Sequence, residues 1–100
     1  MRLLIRPEAR EDLKVANTWY AAQAPGLGNR FLAALRAQLL QISATPEAFP
    51  PFHQGTRRAL IPRFPYGVVY IAQPEQHRIV VLAILHCGRD PKLWRGRSQL

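Results

Sequence analysis

Seven consecutive apolar residues, Ile79–Leu85, place the strongest constraint on how this chain can fold. Neighbouring side chains of a strand point to opposite faces of a sheet, so a strand that is apolar at every position needs cover on both faces. The run lies within a segment, Arg78–Cys87, that is rich in β-branched residues. This pattern predicts a central strand that is buried on both sides.

Two shorter strands are expected before it. Arg57–Ile61 stops at a proline, and Tyr66–Gln73 is rich in Val, Ile and Tyr. Residues 74–77 form a four-residue connection to the central strand. Strands joined by such short turns form a mainly antiparallel three-strand meander. Tyr66 and Tyr70 share one face of it, where they serve either the core or the stacking of nucleic-acid bases.

Two amphipathic helices are expected ahead of these strands. Pro7 suits a first helical turn, and that helix runs to about Gln23, where Ala24-Pro25-Gly26 breaks it. Such a short linker predicts an antiparallel helical hairpin that covers one face of the meander. The apolar stripes comprise Ala9, Leu13, Ala16 and Tyr20 in the first helix, and Leu27, Phe31, Ala34, Leu35, Leu39 and Ile42 in the second.

The opening segment Leu3–Arg6 reads as a strand whose place in the sheet the sequence leaves open. A loop over residues 44–55 contains three prolines, which neither continue a helix nor donate to a sheet. We therefore expect one α+β domain over residues 1–100, in the order β-α-α-β-β-β, with a basic carboxy-terminal tail.

Several classes of protein are excluded. No apolar run approaches the roughly 18 residues of a membrane span, and the apolar stretch after Met1 is too short for a signal peptide, so we expect a cytoplasmic protein. The single Cys87 rules out an internal disulfide and a cysteine-built zinc site, and we expect it to pack as a small apolar residue. Motifs for phosphate loops, metal-binding histidine pairs and nucleophile elbows are absent, so no cofactor or metal is expected.

The charge is strongly positive and uneven. Fourteen basic residues oppose six acidic ones, for a net charge of +8. The half up to Pro50 has six basic and four acidic residues, and the other half has eight and two. All but two of the basic residues are arginine, which suits phosphates and carboxylates but also reflects GC-rich codon usage. In either case the second half should attract a polyanion or an acidic protein.

His86 is the residue best suited to proton transfer. Strict alternation puts it on one face of the long strand, at the end of an apolar row that comprises Val80, Leu82 and Ile84 after Arg78. Arg57 and Arg58 point to opposite faces, and Arg58, Arg63 and Arg89 could converge near His86 to hold an RNA phosphate. The alternatives are a strand-end histidine bonded to the backbone, and an arginine-rich edge that binds a partner without catalysis.

Four features together resemble the RelE/ParE superfamily of type II toxin–antitoxin toxins, in particular its ParE-like plasmid-stabilisation branch. They are Pro7-Glu8-Ala9-Arg10-Glu11-Asp12-Leu13, the pair Arg57-Arg58, the segment Phe64-Pro65-Tyr66-Gly67-Val68-Val69-Tyr70, and His86-Cys87-Gly88-Arg89-Asp90-Pro91 followed by Trp94 and Arg97. The resemblance implies a small toxin that an acidic antitoxin wraps and neutralises in a hetero-oligomer.

The resemblance leaves two targets. ParE-like toxins poison DNA gyrase without a catalytic site, whereas RelE-like toxins cleave mRNA on the ribosome. In the RelE-like case the catalytic residues would be His86, Arg58, Arg63 and Arg89. In either case, the residues expected to bind target or antitoxin are Arg57, Arg58, Arg63, Arg89, Trp94, Arg95 and Arg97.

This chain lacks the lysine-rich residues of the RelE archetype, and Trp94 is the only aromatic residue of its tail, where no tyrosine follows the last strand. These departures favour gyrase inhibition and no enzymatic activity. A metal-independent endoribonuclease is the alternative, and a non-toxic nucleic-acid-binding adaptor is the third possibility.

Overall fold

The two helices lie against one face of a four-stranded mixed sheet, in the chain order that the sequence predicts. The computed structural model describes residues 1–88, and the predicted basic tail lies outside them. The elements are β1 (Arg2–Ile5), α1 (Pro7–Gln23), α2 (Leu27–Ala44), β2 (Arg57–Leu60), β3 (Tyr66–Gln73), a 3₁₀ turn (Pro74–Gln76) and β4 (Arg78–His86). No helix in this range has the length and apolar character that a bilayer span needs.

The sheet has the strand order β1-β4-β3-β2. β2, β3 and β4 form the antiparallel meander that the turn signals predict. β1, whose place the sequence left open, lies parallel to β4, with Leu3 opposite Ile79. β4 is therefore an interior strand, and residues 79–85 are all buried, as the unbroken apolar run predicts.

A β-bulge at Leu82 corrects the predicted facing of β4. Val69 pairs with Ala83 and Tyr70 with Val81, so Leu82 has no partner in β3. Because the extra residue reverses the alternation, Ile84 joins Val81 in the core under the helices. The prediction that Arg78, Val80, Leu82, Ile84 and His86 share one face is therefore wrong.

The main core lies between the helices and the sheet, on what we call the helix face. Both predicted helical stripes are buried or partly buried there. The helices approach most closely at Gly28, where an added Cβ would lie 2.9 Å from Asn17 Oδ1 and 3.1 Å from the Ala21 Cβ. The linker turns at Gly26, whose φ of +78° is a conformation that favours glycine.

Four aromatic rings form the centre of this core near the end of the sheet that carries His86. Tyr20 lies 5.0 Å from both Phe31 and Phe64 and 6.0 Å from Tyr66, measured between ring centroids. Burial raises the pKa of Tyr20, and the neighbouring Tyr66 raises it further. Tyr66 and Tyr70 both pack in the core, which is the first of the two roles considered for them.

The other side of the sheet, here called the outer face, holds a smaller cluster. Its buried members are Val69, Ala83 and Leu85, and Phe52 packs against them from the proline-rich loop. That loop is also fixed from the helix face, where the Tyr70 hydroxyl donates a 2.5 Å hydrogen bond to the Pro46 carbonyl. Both faces of β4 are thus covered, as the sequence requires.

Candidate partner-binding and target-binding site

Arg57 and Arg58 lie on opposite faces of β2, as strand alternation predicts. On the helix face, Arg57 Nη1 donates a 2.6 Å hydrogen bond to the Phe49 carbonyl, which anchors the proline-rich loop. Its positive charge partly offsets the rise that burial causes in the pKa of the paired Tyr70. Arg57 therefore stabilises a loop, and its guanidinium is already engaged.

Arg58 lies flat on the outer face. Its guanidinium carbon is 4.4 Å from the centroid of the Phe52 ring, which is a cation–π contact. Its aliphatic stem crosses Gly67, where an added Cβ would lie 2.9 Å from the Arg58 Cδ. Glycine inside a strand often marks such a close approach, so Gly67 allows Arg58 to lie against the sheet.

Arg63 lies in the turn between β2 and β3 and faces α2. It is exposed and has a φ of +72°, which is unusual for a residue other than glycine. Its side chain lines a groove between this turn and α2, together with Arg30. The sequence indicated only that Arg30 lies outside the apolar stripe of α2; the groove depends on a tertiary contact that no local pattern reports.

His86 ends β4 on the helix face. Its ring stands edge-on to the ring of its partner Tyr66, with 5.4 Å between centroids. The imidazole Nδ1 accepts a 3.1 Å hydrogen bond from the Gly88 amide, which is the backbone-bonded alternative considered above. A neutral ring in this arrangement carries its proton on Nε2, so the nitrogen that could act as a base is already occupied.

Acidic residues of α1 lie beside the end of β4. Asp12 Oδ2 accepts a 3.0 Å hydrogen bond from the Ile84 amide. Asp12 and Glu11 line a small cleft with Tyr66 and Ile84. The sequence predicted these carboxylates only as favourable charges near the start of a helix, since their contact with β4 spans more than seventy residues of chain.

The described residues of the predicted phosphate cluster do not converge. Arg58 lies on the outer face, and His86 lies on the helix face. Arg58 is two strands across and three residues along from His86, so their backbones are roughly 14 Å apart. Arg63 shares the sheet end of His86 but faces α2. Four further site residues lie outside the described range: Arg89, Trp94, Arg95 and Arg97.

Cys87 and the metal-ligand search complete this region. The Cys87 amide donates to the Pro65 carbonyl at 2.8 Å, which extends the pairing one residue past β4. Its side chain is exposed, so the expectation that it packs as a small apolar residue is wrong. Residues 1–88 contain no group of three potential metal ligands.

The comparisons with known proteins agree with this geometry. A family model described as the ParE toxin of the type II toxin–antitoxin system parDE matches residues 3–91. Comparison with curated proteins gives no match.

Two solved structures have a similar fold. One is the chromosomal ParDE toxin–antitoxin system from P. aeruginosa, with a TM-score of 0.62, 18% identity, and coverage of 86% of this chain and 95% of that chain. The other is the RelBE2 toxin–antitoxin complex from Mycobacterium tuberculosis, with a TM-score of 0.61, 24% identity, and coverage of 85% and 95%. At these identities the likeness concerns the fold alone.

Proposed function

Because this chain belongs to the ParE toxin family of type II toxin–antitoxin systems, we propose that it acts in the cytoplasm by inhibiting DNA gyrase. We propose further that a cognate acidic antitoxin holds it silent in a hetero-oligomer. The net charge of +8 favours an acidic partner and accelerates its capture. Plasmid stabilisation is the role that the resemblance implies for such a pair.

The observation that supports gyrase inhibition over RNA cleavage is the separation of His86 from the arginines. Phosphodiester cleavage needs a proton-transfer group and positive charge on the same phosphate. Arg58 is packed over Phe52 on the other side of the sheet, and Arg63 faces α2. Within residues 1–88, no arginine accompanies the His86 imidazole.

The surroundings of His86 support the same proposal. The adjacent cleft is lined by Glu11 and Asp12, and negative charge there opposes the approach of a phosphate. The imidazole Nδ1 is bonded to the Gly88 amide. General-base catalysis would require that bond to break first.

A supercoiling assay tests the proposal directly. Purified toxin, freed of antitoxin, is added with ATP to gyrase and relaxed plasmid. We expect supercoiling to stop at micromolar toxin, with or without accumulation of cleaved plasmid, and His86→Ala to inhibit equally well. Supercoiling that proceeds unaffected by the wild-type protein contradicts the proposal.

The predicted target-binding residues of the tail can be tested in the same assay. Arg95→Ala combined with Arg97→Ala should weaken inhibition because both residues are expected to contact the target. The matched control is Arg2→Ala, an exposed arginine at the opposite end of the sheet from His86. Equal inhibition by all variants would remove Arg95 and Arg97 from the binding surface.

One observation favours the ribosome-dependent endonuclease as a second candidate. His86 is exposed, and a second ionisable ring, that of Tyr66, stands beside it. If this function is correct, induction should cut translated mRNA within minutes, and His86→Ala with Arg63→Ala should abolish toxicity. Intact mRNA, or full toxicity of the double variant, counts against it. Harmless overexpression without antitoxin would instead indicate the non-toxic adaptor.

A further inference from the structure

The groove along α2 is the feature of the described residues that the proposed gyrase inhibition does not use. It has a volume of about 650 Å³ and lies between one face of α2 and the turn that links β2 to β3. We call it the alanine groove; its lining residues include Arg30, Ala33, Ala37, Gln41 and Arg63. At about 1.5 Å per helical residue, the stretch from Arg30 to Gln41 is roughly 16 Å long, which matches about three turns of a second helix.

The floor of the alanine groove suits a closely packed helix. Ala33, Ala34 and Ala37 project only methyl groups, and the distance between packed helices depends on the size of the side chains at the contact. Phe64 adds a partly buried aromatic surface to the wall. Gln38 is held in place because its Nε2 donates a 2.7 Å hydrogen bond to the Leu60 carbonyl at the end of β2. The groove is therefore preformed and apolar at its base.

The two walls each carry one guanidinium group. Arg30 stands on α2 and Arg63 on the turn, and neither forms an ion pair within residues 1–88. No carboxylate lines the groove. A helix laid between them would satisfy both cations if it carried Asp or Glu on each flank, since arginine–carboxylate pairs give strong, directional hydrogen bonds.

The backbone of Arg63 is the second observation that points to a ligand. A residue other than glycine in the left-handed region costs on the order of 1–2 kcal/mol. Two hydrogen bonds hold the turn, from the Phe64 amide to the Ile61 carbonyl at 3.2 Å and from the Ile61 amide to the Tyr66 carbonyl at 2.9 Å. Such strain is concentrated at binding and active sites, and here it fixes where the guanidinium begins.

We propose that the alanine groove receives an acidic amphipathic helix of the antitoxin, about three turns long, with an apolar face on the alanines and carboxylates toward Arg30 and Arg63. This inference rests on the proposed function, from which it takes the antitoxin as partner. A single-stranded nucleic acid fits less well because stacking needs several exposed aromatic faces, and the groove lining offers only Phe64.

The test uses the toxin coexpressed with the protein encoded beside it. Ala37→Trp fills the groove floor, and we expect it to weaken antitoxin binding at least 100-fold, measured by calorimetry with the purified partner. Arg30→Glu combined with Arg63→Glu should weaken binding at least tenfold and reduce its dependence on salt. The matched control is Ala44→Trp, an exposed alanine of α2 outside the groove, which should bind as the wild type does.

Thermal unfolding and the supercoiling assay separate this inference from the gyrase proposal. Ala37 is exposed, so the free variant should unfold at the wild-type temperature and retain wild-type toxicity while escaping neutralisation. Wild-type antitoxin affinity of Ala37→Trp would overturn the groove assignment and leave the gyrase proposal intact. A neighbouring protein that fails to bind the wild-type chain would overturn the antitoxin assignment and the groove with it. Failure of the wild type to inhibit gyrase would overturn only the target.

Discussion

Asp12 should be the most informative single position for the stability of this fold. β1 ends at Ile5, whose partner in β4 is Val81, so the rest of β4 has no neighbouring strand on that side among the described residues. The Ile84 amide lies in this unpaired stretch and donates to Asp12 Oδ2 at 3.0 Å. The carboxylate thus takes the place of a carbonyl in a missing strand and joins α1 to the sheet.

Asp12→Ala should lower the free energy of unfolding by about 1–3 kcal/mol, the cost of leaving a buried donor without an acceptor. For a domain of this size, each kcal/mol lowers the Tm by about 4–8 °C, so we expect a loss of roughly 5–15 °C. Asp12→Asn keeps an acceptor oxygen and should lose much less. Glu11→Ala, at the exposed neighbouring position, should stay within about 0.5 kcal/mol of the wild type.

Thermal and urea unfolding of the free toxin, followed by circular dichroism, measure these differences. Amide hydrogen exchange adds a local readout, because Ile84 should lose protection selectively in Asp12→Ala. If Asp12→Ala is no less stable than Glu11→Ala, the hydrogen bond is not what holds α1 to the strand. If Asn and Ala cost the same, the effect comes from charge and not from the acceptor.

Three further substitutions test the core and the outer face. Tyr70→Phe removes the donor to Pro46 and should cost about 0.5–1.5 kcal/mol in urea unfolding. Because burial raises the pKa of Tyr70 above 10.0, the unfolded chain releases this proton first; wild-type stability should fall as pH rises through 10, and that of the variant should fall less. Phe31→Ala, in the aromatic cluster, should cost about 3–5 kcal/mol and shift the thermal transition accordingly. Gly67→Ala should displace Arg58 from its aromatic partner, visible as lost nuclear Overhauser contacts, with little change in Tm because the arginine stem is flexible.

The secondary structure could be predicted because its signals are local. Pro7 and the Ala24-Pro25-Gly26 break set bounds for α1, and they coincide with the observed Pro7–Gln23. The place of β1 could not be predicted, since its pairing with β4 joins residues separated by most of the chain. Nothing in a four-residue strand specifies which distant edge it will pair with.

The bulge was hidden for a different reason. In Ile79–Leu85 every position is apolar, so the sequence reads the same whichever face each residue occupies. An alternating strand would have revealed the extra residue as a break in its pattern. Leu82 has no such signal, and the facing of everything after it was therefore predicted in the wrong sense.

The candidate site was predictable only as far as alternation reaches. The opposite facing of Arg57 and Arg58 follows from their adjacency in a strand and is confirmed. Their partners Phe49 and Phe52 come from a proline-rich loop whose path depends on the finished sheet. The alanine groove likewise exists only once the turn at Arg63 has been placed against α2.

The bulge also governs the question of the target. With unbroken alternation from Ile79 and Val81 on the helix face, His86 would lie on the outer face, the same side as Arg58. One extra residue at Leu82 instead turns the imidazole toward Tyr66 and the carboxylates of α1. The separation of base from arginine thus follows from the strand register, and residue types alone cannot distinguish a phosphate-cleaving cluster from two unconnected surfaces.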